Sequence, residues 1–233
     1  MAANNLSILK PSVNNLCVRI LVRAADLEFE EEDVWGRKGT PEFLAKDPAD
    51  LTPLLEEPGL PRGSIWESCA IMQYLCNKHG LDRFYPTEPG QRAMVDSAMF
   101  YLTGTFYPLL TRATYPTLGF GQYPGEVGTS EADDEMKAKA QKDAESALAP
   151  PLEAFRAWFL EGRTFIGGDN PSIADMRWAA TLEFLRAIDY ELPGWAEEYI
   201  ERMENALGAA YTEPAGDVRG YIAHVKSQQQ AAV

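Results

Sequence analysis

Asp47-Pro48-Ala49-Asp50-Leu51-Thr52-Pro53-Leu54-Leu55, then the turn Pro58-Gly59-Leu60-Pro61-Arg62-Gly63, then Ser64-Ile65-Trp66-Glu67-Ser68-Cys69-Ala70-Ile71: this stretch decides how the chain folds. Proline and glycine set its punctuation, leaving two short strands on either side of the Pro58–Gly63 turn, the first opening after Pro53. A helix from about Glu67 to Lys78 follows, with Ile71, Tyr74 and Leu75 on one face and Gly80 at its end. Glu67 and Ser68 open that helix. Side chains there either cap the first amides or hold a ligand against them.

Upstream, Leu6-Ser7-Ile8-Leu9 alternates like a half-buried strand, and Leu16, Ile20, Leu21 and Ala24 recur at helical spacing. The chain turns through Asp26 into a second strand near Glu28 to Val34, then a Gly36–Gly39 loop. Thr40-Pro41-Glu42-Phe43-Leu44 reads as a short helix with Thr40 at the cap and Pro41 at its first position. The order βαβ, α, ββα suits a thioredoxin-like α/β layer, in which a βαβ unit joins a terminal hairpin. The placement of Pro53 and of Glu67-Ser68 separates it from other small α/β arrangements.

Beyond a polar segment from Leu81 to Gly90 the pattern turns helical, with breakers and no convincing strand pair. The expected division is an α/β domain over 1–80, a linker over 81–90 and an all-α domain over 91–233. The first helix of that second domain is expected near Pro89, with Ala93, Met94, Ser97, Ala98, Tyr101 and Leu102 on one side. Tyr115 to Ser130 reads as a surface loop, and Ser130 stands three residues before Asp133 in a capping-box-like spacing. Pro150-Pro151 must break or restart the helix that follows, after which Leu152, Phe155, Phe159 and Leu160 form an apolar face. Ser172-Ile173-Ala174-Asp175 is a capping box opening a helix with Ile173, Met176, Ala180, Phe184 and Ala187 inward. The tail after Lys226 carries little apolar surface and is expected to fray.

The formal charge of −14 argues against nucleic acid or an anionic membrane as a partner, since the phosphate attraction needs a basic face. No apolar run approaches the roughly 18 residues of a membrane span, and no basic leader precedes one, so a cytoplasmic location is expected. Cys17, Cys69 and Cys76 form neither a CxxC nor a zinc-ligand spacing and are read as structural thiols; His79 and His224 fall in no metal or triad pattern. No metal is expected.

Four separated signals resemble the cytosolic glutathione S-transferase family, in its bacterial serine/asparagine-type form. They are Pro41-Glu42-Phe43-Leu44 leading through Asp47-Pro48 to Pro53; Glu67-Ser68-Cys69-Ala70-Ile71 with Tyr74-Leu75; Phe84-Tyr85-Pro86 followed by Arg92-Ala93-Met94-Val95-Asp96; and Ser172-Ile173-Ala174-Asp175. The resemblance covers nearly the whole chain. It implies that Pro53 follows a cis bond, that the backbone at Thr52 pairs with glutathione, that Glu67 and Ser68 hold the γ-glutamyl end, and that Lys38 stands near the glycine carboxylate. Asp47-Pro48-Ala49-Asp50 departs from the family's frequent Asn-Pro-x-Gly, and Thr52 from its usual Val or Ile. The extra acid Asp50 is unfavourable beside an anionic ligand unless it faces solvent or a cation.

By the same resemblance Ser12 stands where a hydroxyl donates to the glutathione sulfur, with Asn14 or Asn15 as alternative donors and helix capping as Ser12's competing role. Tyr101, Phe106, Tyr107, Leu110 and Tyr115 fall where the family builds its hydrophobic pocket, although aromatic residues at this spacing also make plain core. The implied activity is conjugation of the glutathione thiolate to a small hydrophobic electrophile, an epoxide first and a halide or activated alkene second. Glutathione would be a co-substrate with no bound cofactor, and the protein a homodimer. A glutathione-dependent reductase or lyase, or a non-catalytic binding module on the same fold, remains as an alternative.

Overall fold

The structure, a computed structural model, describes residues 4–120 and 134–231. Its N-terminal part runs β1 (Asn5–Ile8), α1 (Val13–Ala24), β2 (Glu30–Asp33), α2 (Pro41–Lys46), β3 (Leu54–Glu56), β4 (Ser64–Trp66) and α3 (Ser68–His79). The strands form a four-stranded mixed sheet in the order β2-β1-β3-β4. β1 runs parallel to β2, with Asn5 opposite Glu30, and antiparallel to β3, with Leu6 opposite Leu55. This is the thioredoxin-like layer expected from the element order.

β2 consists of Glu30, Glu31, Glu32 and Asp33, a composition with little strand propensity. It pairs because it lies at the sheet edge, where charge also discourages pairing with another chain. Arg19 and Arg23 of α1 clasp Glu31, and Arg37 binds Glu32. Thr40 caps α2 by accepting from the Phe43 amide, and Gly80 closes α3 in the left-handed conformation.

An all-helical part follows. α4 (Pro89–Tyr101) passes through a π-helical segment, Leu102–Phe106, directly into α5 (Tyr107–Leu118). After α6 (Asp134–Ser146), α7 (Ala149–Ala154) begins with Pro150 and Pro151 in its first turn, where no amide donor is missed. A second π-helical segment, Phe155–Leu160, precedes α8 (Ile173–Leu182), a 3₁₀ turn (Glu183–Ala187), α9 (Gly194–Leu207) and α10 (Ala209–Ala231). α1 packs against both α8 and α10, so the sheet layer and the helical layer share one core that includes Leu16, Ile20, Trp178 and Tyr211.

Three local expectations change. The buried face of α4 is Val95, Ala98 and Met99, continuing to Leu102, while Ala93 and Ser97 are exposed. That face is rotated because Ala98 and Met99, at i+3 and i+4 from Val95, pack toward Trp178, whose indole N–H donates to the Ala98 carbonyl at 3.0 Å. The segment from Tyr115 continues α5 to Leu118 despite Pro116; the rest of the expected loop and the Ser130–Asp133 capping box lie outside the described residues. The tail after Lys226 remains helical to Ala231, with the Gln229 amide donating to the Thr117 carbonyl at 3.2 Å.

Candidate active site

Asp47 shapes the loop before β3. It is fully buried and accepts from the amides of Ala49 (2.9 Å) and Leu51 (2.8 Å), an Asx-type turn that holds the loop while Asp50 takes a positive φ of 53°. The Thr52–Pro53 bond is cis. Asp50 accepts from the Gly39 amide at 2.8 Å and stands 4.0 Å from the Lys38 ammonium, so the extra acid faces a cation.

The Thr52 turn, the start of α1, the start of α3 and the Lys38 loop open onto a cavity of about 470 Å³. Ser12, Asn14, Lys38, Thr52, Glu67 and Ser68 border it on the sheet side. Its helical wall carries Thr103 from the first π-helical segment, Tyr107, Tyr115, Phe120, Arg177 and Phe184. Pockets of this volume hold small ligands, and a π-helical segment widens a helix where side chains must be re-aimed.

Ser12 has extended backbone at the start of α1, yet its hydroxyl makes no cap bond to the helix. Glu67 precedes α3 with φ of 75° and likewise makes no cap bond. A non-glycine residue in that conformation is strained, and such strain gathers at ligand sites. The Glu67 side chain is exposed, whereas Ser68 is buried.

The other sequence-derived candidates separate. Asn15 is fully buried, lies outside the cavity lining, and donates to Thr52 Oγ1 at 3.1 Å, which makes it a brace for the turn. Pro53 is buried behind Thr52. Tyr107 and Tyr115 line the cavity with their hydroxyls 2.9 Å apart. Tyr101, Phe106 and Leu110 do not: Phe106 and Leu110 are fully buried, and both Phe106 and Tyr101 stack on Trp178, with ring centroids at 5.2 and 6.3 Å. Phe106 and Leu110 thus belong to the core, and half-buried Tyr101 packs against it outside this cavity. The π-helical segment turns Tyr107, one residue on, toward the cavity.

Sequence reasoning missed Arg177, Phe120 and Phe184. Arg177 lies in α8, otherwise an almost wholly apolar buried run, and is itself buried. It donates to Asn14 Oδ1 at 2.6 Å and Thr181 Oγ1 at 2.5 Å, and its guanidinium carbon lies 5.1 Å from the centre of the Tyr107 ring. Asn14 in turn donates to Tyr107 Oη at 2.7 Å. Burial pushes the Cys17 thiol up to about 12, outweighing the opposing pull of Arg177. Burial raises the Cys69 thiol as well, so both stay protonated at neutral pH. The lone charge inside an apolar helix was the available signal for Arg177.

Comparison with known proteins agrees with this arrangement. The family model described as glutathione S-transferase, N-terminal domain, matches residues 8–77, and that described as glutathione S-transferase, C-terminal domain, matches residues 138–207. The chain belongs to the glutathione S-transferase family, whose members use glutathione as co-substrate without a bound cofactor. Among solved structures it is similar to the glutathione transferase BmGSTD1 of Bombyx mori, at 26% identity and a TM-score of 0.74, over 97% of this chain and 98% of that one. A delta-class glutathione transferase of Nilaparvata lugens matches at 26% identity and a TM-score of 0.71, over 95% and 99%. Human glutathione transferase theta-2 shares the fold at 22% identity and a TM-score of 0.73, over 97% and 91%.

Proposed function

We propose that this glutathione transferase conjugates the thiolate of glutathione to a small hydrophobic electrophile, with epoxides the preferred class and halides or activated alkenes next. One observation supports the reading most: Ser12, Thr52, Glu67 and Ser68 border the same 470 Å³ cavity whose opposite wall holds Tyr107, Tyr115, Phe120 and Phe184. A polar end for a peptide and an apolar end for a second reactant thus adjoin.

In this reading the Thr52 backbone pairs with the extended tripeptide in the manner of a strand addition. Pro53 keeps the turn in shape. Glu67 meets the γ-glutamyl ammonium, Ser68 its carboxylate, and Lys38 the glycine carboxylate. Ser12, free of capping duty, donates to the sulfur and favours thiolate over thiol, with Asn14 as the neighbouring donor. Enclosure by two layers brings thiolate and electrophile together, which removes the entropic barrier of their encounter. The division at residues 81–90, a homodimer and a cytoplasmic location complete the proposal.

Calorimetric titration with reduced glutathione tests it. Glu67→Ala removes the counter-charge of the ammonium and should cost about 1.5–3 kcal/mol, roughly tenfold to hundredfold in affinity. Unchanged affinity in a folded variant would remove Glu67 from the site. On an electrophile panel, small lipophilic epoxides should be conjugated faster than charged disulfides are reduced; dominant disulfide reduction would favour a reductase.

A further inference from the structure

Arg177 is a fully buried cation that meets no anion among the described residues. Its partners are the Asn14 amide oxygen, the Thr181 hydroxyl and the Cys69 thiol, all uncharged, and its Nε has no hydrogen-bond partner. No carboxylate among the described residues lies within ion-pair distance of it. The two nearest in sequence are already engaged. Asp175 accepts from Ser172, Ile166, Gly167 and Tyr199, and Glu183 from Arg186, Arg219 and Tyr211. The neighbouring thiols Cys17 and Cys69 are held protonated by burial. A guanidinium cannot shed its charge by deprotonating, and burying it unpaired is strongly unfavourable.

That cost makes sense if the anion arrives with the substrate. We propose that Arg177 is the built-in counter-charge for the thiolate of bound glutathione, acting across the cavity and through Asn14. This inference rests on the glutathione reading above. The guanidinium has donors only, so it fixes the Asn14 carbonyl toward itself, and the amide nitrogen must then face Tyr107 and the cavity. Asn14 therefore presents N–H, never C=O, beside Ser12. Arg177 is a positioning residue and a field source, with no contact to sulfur required. The charged and titratable groups facing the same space are Lys38 from the β2–α2 loop, Glu67 at the start of α3, and Tyr107 and Tyr115 from α5. Lys38 is already matched by Asp50, and Glu67 opposes a thiolate, which leaves Arg177 as the net positive source.

The test follows the ultraviolet thiolate band of bound glutathione against pH, with calorimetry of reduced glutathione and of S-methylglutathione, which has no ionisable thiol. Arg177→Gln keeps donors for Asn14 and Thr181 while removing the charge. It should cut the thiolate fraction at neutral pH by about tenfold, one pH unit in the thiol's ionisation, yet bind S-methylglutathione as wild type does. Arg177→Lys, which keeps the charge, should restore most of the thiolate. Should Arg177→Gln not fold, Asn14→Asp neutralises the guanidinium in place; it should likewise raise the pH at which the thiol ionises, lowering the thiolate fraction at neutral pH, and leave Tm equal or higher. Thiol ionisation at the wild-type pH in Arg177→Gln or Asn14→Asp would overturn the role of Arg177 while leaving glutathione binding intact. Wild-type protein that bound neither ligand would overturn the glutathione reading and this inference with it.

Discussion

Among the described residues two helices carry a serine at the N-cap position, Ser12 before α1 and Ser172 before α8, and the two serines are used in opposite ways. At the start of α8, Ser172 accepts from the Asp175 amide, and Asp175 accepts from the Ser172 amide at 2.8 Å and its hydroxyl at 2.6 Å. Asp175 also holds the amides of Ile166 and Gly167 and the Tyr199 hydroxyl, all within a buried core. At the start of α1, Ser12 caps nothing and lines the cavity. A helix start that closes on itself is spent on folding. One left open toward a cavity has hydrogen-bonding capacity to offer a ligand.

The comparison can be broken at either end. Asp175→Ala strips five donors of their acceptor, and with about 1–3 kcal/mol for each donor that finds no new partner, at least about 3 kcal/mol of stability should disappear. Urea denaturation with unchanged m-value reads it; a loss below about 1 kcal/mol would mean that the loop repairs itself. Ser172→Ala keeps the carboxylate and loses only the reciprocal cap, so a cost near 1 kcal/mol is expected in the same assay. Ser12→Ala should change stability least, within about 0.5 kcal/mol, because its hydroxyl holds no helix amide. A cost comparable to that of Ser172→Ala would return Ser12 to capping.

How far the sequence could be read follows the same division. Signals carried by a few adjacent residues were legible, beside the cis bond before Pro53 that the resemblance implied: the Thr40 and Ser172 caps, the Pro58–Gly63 turn between β3 and β4, and Gly80 closing α3. Each depends on turn or cap chemistry within about four residues. The helical wall of the cavity was not legible in that way. Whether Tyr101, Phe106 or Tyr107 faces the cavity is decided by the π-helical segment and by packing on Trp178, and aromatic residues one turn apart look alike in sequence. Arg177 meets Asn14 across 163 positions, a contact only the packing of α8 on α1 creates. β2 was placed by its position between loops, since Glu30–Asp33 is not a strand by composition.

The ionisation of bound glutathione in Ser12→Ala tests the account most directly. Thiolate absorbance followed against pH should titrate below the roughly 8.5–9 of a free thiol in the wild-type complex and move back toward it in Ser12→Ala, with slower conjugation near neutrality. The rate should fall less than the thiolate population, because a thiolate of higher pKa is the stronger nucleophile. A profile that stayed in place for Ser12→Ala while shifting for Asn14→Ala would contradict the account and give the sulfur's donor to the amide.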